Sequence, residues 1–205
     1  MLKDLGALRI ALTRSVYDPS DDSFLALEKI SEFARGGSLA TAADIGCGSG
    51  ILCALLAKRG FISVCIDVSP CAAQCCAETS RMCGVDALVD VVQCDSGECL
   101  RSRAIDVAVS NPPYLPIEGD EGFVWDSGGA KGIEIPLRFL KNMLRSCKRE
   151  CTVLMIVSSL QRYEVLVNLL AKSCREVVLS WERSFFFERL GCLVGRGCEP
   201  WIELR

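Results

Sequence analysis

The sequence predicts a doubly wound α/β domain, and three observations carry the prediction. Short apolar, β-branched runs alternate with stretches of helical periodicity, the pattern of βαβ units that build a parallel sheet with helices on both faces. A glycine-rich turn, Asp44-Ile45-Gly46-Cys47-Gly48-Ser49-Gly50, stands between a strand-like run and a helical one. A further strand-like run, Ile105 to Ser110, leads directly into Asn111-Pro112-Pro113-Tyr114, where the prolines hold φ near about −65° and cannot extend a ladder.

At the start of the chain, Asp18 before Pro19, then Asp21 and Asp22, reads as an N-cap, a proline at the first helical position and acids in the first turn. A helix is predicted from Pro19 to Arg35, with Phe24, Leu27, Ile30 and Ala34 at helical spacing and Gly36-Gly37 ending it. Strand Ala42 to Ile45, helix Gly50 to Lys58, strand Ile62 to Asp67, helix Pro70 to Cys83 and strand Ala87 to Cys94 follow in alternation. After the strand Ile105 to Ser110, residues Leu115 to Gly132 hold Gly119, Gly122, Gly128, Gly129 and Gly132 without periodicity, as a long functional loop does. Helix Ile133 to Arg145, strand Cys151 to Val157, helix Arg162 to Ser173 and two strands near Glu176 to Trp181 and Arg189 to Val194 complete the order. Residues 1–205 are expected to form one domain, with 1–40 as a leading segment and helix and 115–132 as a substrate loop.

Composition narrows the function classes. Half of the residues are hydrophobic and 24% are charged, and 205 residues suffice to bury a core without disulfide or metal support. No apolar run approaches the ~20 residues that a membrane-spanning helix needs, and Lys3, Asp4 and Arg9 interrupt the region of a secretory signal. The expected location is the cytosol, with the nucleus reachable alongside a partner. A net charge of −3 gives no general footprint for nucleic acid, although a local basic strip is compatible with it. The 14 cysteines contain no Cys-x-x-Cys pair and histidine is absent, so no metal centre is expected and Ser-His or Cys-His nucleophilic machinery is excluded. Cys65, Cys94 and Cys151 fall in predicted strands and Cys53, Cys75 and Cys76 in predicted helices, where thiols are expected to act as small buried hydrophobes and not as a disulfide framework.

Gly46, Gly48 and Gly50 let the backbone approach a ligand and aim a positive helix end at an anion. Their G-x-G-x-G spacing differs from the dinucleotide pattern, and a carboxylate such as that of S-adenosylmethionine suits the position; a tight connection without ligand is the alternative. Asp67 ends its strand about twenty residues further on, where an acid accepts from ribose hydroxyls. Asp95 repeats that position one strand later, beside an adenine amino group, or is an ordinary turn residue. Asp44 is placed to accept from the cofactor's ammonium, directly or through water. Asp22 and Ser23 are equally readable as first-turn residues of the leading helix. Asn111 to Tyr114 supplies an amide carbonyl, backbone carbonyls outside any ladder and an aromatic ring, a set suited to methyl transfer onto a planar NH2 group.

With these motifs the chain resembles class I S-adenosylmethionine-dependent methyltransferases and, within them, the HemK/PrmC group of protein glutamine methyltransferases, its eukaryotic release-factor branch above all. The resemblance rests on Val16 to Phe24, Asp44 to Gly50, Asn111 to Tyr114, and Trp125-Asp126-Ser127-Gly128-Gly129 followed by Gly132. It implies a Rossmann-like sheet of seven strands, mostly parallel with one antiparallel strand. By position it implies that Tyr17, Ser23, Asp44, Gly46, Gly48, Gly50, Asp67, Asp95 and Asn111 bind S-adenosylmethionine, and that Asn111, Pro112, Pro113 and Tyr114 are catalytic. Asn111 Oδ1 and the Pro112 carbonyl would hold the acceptor's two N–H bonds while Tyr114 packs on its plane, so that catalysis rests on positioning and electrostatics.

The implied acceptor is the glutamine of the Gly-Gly-Gln loop of a class 1 translation termination factor. The implied partner is a small zinc-binding activator subunit. The run Ala87 to Val92 would offer it a sheet edge, extended by Cys71, Cys75, Met82 and Cys83, unless these residues face the domain's own core. Adenine-N6 and guanine-N2 methyltransferases share the tetrapeptide, so nucleic acid is an alternative acceptor and a lysine amine another. A non-catalytic scaffold is disfavoured by the retained Asn111 and glycines.

Overall fold

The computed structural model describes residues 1–34, 40–116, 127–129 and 131–200. Its elements run β1 (Leu2–Asp4), β2 (Arg9–Ala11), α1 (Asp21–Phe33), β3 (Thr41–Ile45), α2 (Ile51–Lys58), β4 (Ile62–Asp67), α3 (Pro70–Met82), β5 (Val89–Gln93), β6 (Ile105–Ser110), α4 (Glu134–Ser146), β7 (Cys147–Ser158), α5 (Glu164–Ser173), β8 (Cys174–Ser184) and β9 (Arg189–Cys198). Seven strands form one sheet in the order β5-β4-β3-β6-β7-β9-β8. The pairs from β5 through β7 are parallel, and β9 runs against both β7 and β8, as the resemblance implies.

Alternation along the strands splits the core in two. Ala42, Val107, Val109, Leu154 and Ile156 face α1, α2 and α3, whereas Ala43, Ile45, Val153, Met155 and Val157 face α4 and α5. Asp44 shares the Ala42 face, which takes its carboxyl under the first of these layers. At the carboxyl end of β6, Ser110 Oγ donates to the Ile45 carbonyl at 2.7 Å, fixing where the following Asn111 emerges relative to β3.

Several sequence expectations are corrected. Helix α1 is shorter than Pro19 to Arg35: Ser20 stands at its N-cap position without a side-chain capping bond, and the Asp18 carboxylate expected there pairs with Lys3 Nζ at 2.7 Å. Its buried stripe is Leu25, Ala26 and Ile30, with Phe24 and Leu27 only half-buried. Arg35, Gly36 and Gly37 lie outside the described residues, as do Trp125 and Asp126. Strand β7 begins at Cys147 and not Cys151: after Ile105↔Cys147 the register shifts before resuming at Val107↔Thr152, and the intervening Lys148-Arg149-Glu150 hides the strand signal. The thiol expectation fails at four positions. Cys53 of α2 and Cys65 of β4 form a disulfide, as do Cys174 and Cys198, which face each other across β8 and β9. Two layers packed directly on one another bring sulfurs together that sequence separation kept apart. The sulfurs of Cys53, Cys65 and Cys76 lie within 4.8 Å of one another, but the disulfide consumes two of the three thiolates that a metal ion would need.

The hairpin of β1 and β2 was not foreseen. It sits on α3, where the Ala11 N–H donates to Thr79 Oγ1 at 3.0 Å and the Arg9 N–H to Cys83 Sγ at 3.4 Å. Thr79 is fully buried. Thr79→Val keeps the shape but strands the Ala11 N–H, so it should lower stability by about 1–3 kcal/mol in urea unfolding of the cofactor-free protein.

Candidate active site

Parallel α/β sheets bind ligands beyond the carboxyl ends of their strands, and the predicted residues gather at the ends of β3, β4 and β6. The glycine loop is spliced onto β4: the N–H groups of Gly46 and Cys47 both donate to the Ile66 carbonyl, at 2.8 and 3.0 Å. Gly48 N–H donates to Asp67 Oδ2 at 3.0 Å, and Ser69 N–H to Asp67 Oδ1 at 2.9 Å. Two glycines are required here. Gly50 caps α2 at φ +78°, with the Cys76 Cα only 2.7 Å from where a Cβ would stand; Gly46, also at φ +78°, has the Phe139 ring at 2.9 Å. Above Gly48, by contrast, a Cβ would meet nothing within 4 Å, which leaves that face of the loop open.

A cleft of about 830 Å³ opens there. Gly46, Gly48, Asp67 and Asp95 form one side of it, and Tyr17 and Ser23 of the leading segment face them. Asn111, Pro112, Pro113 and Tyr114 line it as well. Asp44 and Gly50 are not among the residues that line the cleft and stand behind the loop. Asp95 is engaged, accepting on Oδ1 from Ser96 Oγ and from Arg138, each at 2.7 Å. Ser127 and Gly129 of the predicted substrate loop border the cleft.

Asp44 and Asn111 both carry buried acceptors without a partner. Asp44 is 1% exposed, and neither of its carboxyl oxygens closes a hydrogen bond. Burial first, then the neighbouring Asp67 carboxylate, pushes its pKa up to about 8; the backbone N–H of Cys53 offsets this only in part. Asn111 Nδ2 donates to Ser23 Oγ at 3.3 Å, while its Oδ1 is buried and unpaired. The Tyr114 phenol is held far above its usual titration range, by burial first and then by the Asp22 and Glu188 carboxylates, so it remains a neutral donor and gives its hydrogen to Asp22 Oδ2 at 3.3 Å.

Asp22 is the residue that sequence reasoning underrated. An acid in a first turn reads as a surface complement to the helix dipole. Here it is 5% exposed and also receives the Tyr17 hydroxyl, at 3.1 and 3.2 Å to its two oxygens, and the Ser23 N–H at 2.6 Å. The only sequence signal was its place between two tyrosine-bearing motifs.

Residues 23–178 match the methyltransferase small domain. The chain belongs to that family. It is similar to a putative protein N5-glutamine methyltransferase of Methanocaldococcus jannaschii, 28% identical over 197 residues, covering 93% of this chain and 96% of that one. It is also 33% identical over 137 residues to the mouse methyltransferase HEMK2, covering 62% of this chain and 64% of that one. Among solved structures, the E. cuniculi Mtq2–Trm112 complex responsible for methylation of the eRF1 translation termination factor aligns with a TM-score of 0.64 at 19% identity, over 89% of this chain and 98% of that one.

The enzyme is thus a methyltransferase and its cofactor is S-adenosylmethionine. The residues fit that molecule. The open face of the glycine loop suits its carboxylate, Asp67 keeps lone pairs for ribose hydroxyls, and the unpaired carboxyl of Asp44 under the loop would ionise toward an ammonium brought near it.

Two expectations follow. The folded cofactor-free protein holds a proton on Asp44 up to about pH 8, whereas the unfolded chain releases it near 3.8. Stability should therefore fall as pH rises between these values, by up to about 1.4 kcal/mol per unit, and Asp44→Asn should flatten that slope in urea titrations at pH 5 and 8. Asp67→Ala should weaken S-adenosylmethionine at least about tenfold by calorimetry, since it removes the ribose acceptor and the brace on Gly48 together.

Proposed function

We propose that this enzyme methylates N5 of the glutamine in the Gly-Gly-Gln loop of a class 1 translation termination factor. The carrying observation is Asn111: it lines the cleft beside a pair of prolines and a neutral tyrosine, and its carbonyl oxygen is buried and unpaired. An amide nitrogen is a poor nucleophile because its lone pair is delocalised. The Asn111 carbonyl accepts one of its N–H bonds, the Pro112 carbonyl takes the other, and the Tyr114 ring packs against the amide plane, directing the lone pair along the line of displacement. S-adenosylmethionine, when bound, would supply the methyl group and leave as S-adenosylhomocysteine as the N–C bond forms, with one amide proton lost to solvent. No strong base is required, in keeping with the absence of histidine and with a tyrosine that keeps its proton. The relatives named for glutamine methylation, and the solved complex tied to eRF1, support this acceptor over a nucleic acid or a lysine amine.

The reading includes a small zinc-binding activator subunit on the free side of β5 and a cytoplasmic location. Among the described residues, strand β5 ends the sheet and pairs only with β4. Leu88 before it is 39% exposed, and Val89 and Val91 are half-buried. Of the residues expected to extend that surface, Cys75 is buried in the core, whereas Cys71, Met82 and Cys83 are half-buried. The strand edge itself is the docking feature.

The test is transfer of tritiated methyl from S-adenosylmethionine to purified termination factor carrying Gly-Gly-Gln or Gly-Gly-Ala, with and without the activator subunit. Label that needs both the glutamine and the subunit is the expected result. Label on RNA or DNA in the same tubes, with none on protein, would replace this reading by a nucleic-acid acceptor. Asn111→Ala should lower turnover by at least about a hundredfold with the far-ultraviolet spectrum unchanged.

A further inference from the structure

We infer that Asp22 is a positioning residue that decides which end of the Asn111 amide faces the acceptor, an assignment that rests on the proposed NH2 acceptor for its purpose but not for its geometry. A serine hydroxyl has one hydrogen to give and lone pairs to receive, an ionised carboxylate can only receive, and a primary amide gives from one end and receives at the other. Ser23 Oγ lies 3.3 Å from Asp22 Oδ1 and 3.3 Å from Asn111 Nδ2. With its single hydrogen committed to Asp22, Ser23 can only accept from Asn111. The amide must therefore turn its NH2 toward Ser23 and its Oδ1 the other way, where that oxygen is buried without a partner in a residue that lines the cleft.

Asp22 cannot drift from this duty. The Ser23 backbone N–H at 2.6 Å and the Tyr17 and Tyr114 hydroxyls hold its carboxylate from three directions. The last of these also ties the aromatic member of the tetrapeptide to the same carboxylate, so one buried charge orients both groups that flank the acceptor. Hydrogen-bond chains that end on a charge polarise along their length, which makes Asn111 Oδ1 a stronger acceptor as well as a correctly aimed one. If the amide turned over, its NH2 would confront the acceptor's NH2, donor against donor. The Asp22–Ser23–Asn111 chain is thus a specificity device for acceptors that donate hydrogens.

Asp22→Asn tests this at constant shape. Its new NH2 can give to Ser23 Oγ, which frees the serine hydrogen for Asn111 Oδ1 and turns the amide over. The expected result is a fall of about a hundredfold in kcat, with the Kd for S-adenosylmethionine and the acceptor KM changed less than about threefold. In a Ser23→Ala background the same change should cost less than about threefold, because the relay is already broken. Additive losses in the double variant, unchanged turnover, or a loss of cofactor affinity matching the loss of kcat would each overturn the assignment. A second readout needs no acceptor: the chain has three asparagines, Asn111, Asn142 and Asn168, so selective 15N labelling gives three side-chain amide pairs. Ser23→Ala and Asp22→Ala should each move the Asn111 pair and leave the other two in place, which also reports that the variants fold. An Asn111 pair that stays put refutes the proposal. Should the wild type fail to methylate termination factor while this response appears, the acceptor reading fails and the Asp22 assignment stands.

Discussion

The site depends on a splice between the glycine loop and the end of β4. The β3–β4 ladder closes at Ile45↔Ile66, and the Ile66 carbonyl then takes two further N–H groups, those of Gly46 and Cys47. This converts the edge of a parallel sheet into the floor of a cleft. Because Asp67 follows Ile66 and receives Gly48, the strand that would present a carboxylate to a ribose also fixes the loop that would receive the donor's carboxylate. The two halves of a cofactor pocket are therefore set by consecutive residues, and neither can move without the other.

Set against that rigid side, the acceptor side is a matter of electrostatics. Uncompensated acceptors are costly in a protein interior, and the described residues keep two beside this cleft, Asp44 behind the loop and Asn111 at the end of β6. Each has the polarity that the chemistry lacks until its ligands arrive: negative charge for an ammonium, and a carbonyl for an amide N–H. Tyr114, locked neutral by its surroundings, contributes a ring and a donated hydrogen but no base.

Much of this was legible in the sequence where local pattern and global fold agree. Strands Ile62–Asp67 and Ile105–Ser110 were placed to the residue, because both are apolar runs closed by a polar turn. What escaped notice depends on contacts between distant segments. The hairpin of Leu2–Asp4 with Arg9–Ala11 has three-residue strands whose alternation is too short to register, and it draws its hold from Thr79 and Cys83 on α3. One disulfide depends on the packing of α2 on β4 and the other on the register of β8 with β9, neither of which spacing along the chain encodes. Asp22 is buried only because tyrosines from two segments close over it, and a first-turn acid carries no mark of that. The glycine motif reads as a turn and forms one, and the periodicity of β3 puts Asp44 on the face of Ala42, under the sheet's cover and behind the loop.

The hydrogen bonds that join α1 to the tetrapeptide also carry a kinetic consequence. Asn111 to Ser23 and Tyr114 to Asp22 bridge 88 and 92 residues of chain, and closing loops of that size is slow compared with forming any helix here. The two walls of the cleft cannot meet until β3 has found β6 across the intervening βαβ units. Assembly of this pocket is thus one of the last events on the way to the native state. In a refolding experiment, recovery of ligand binding would trail recovery of helical signal, and the lag would time the docking of α1 onto a sheet already formed.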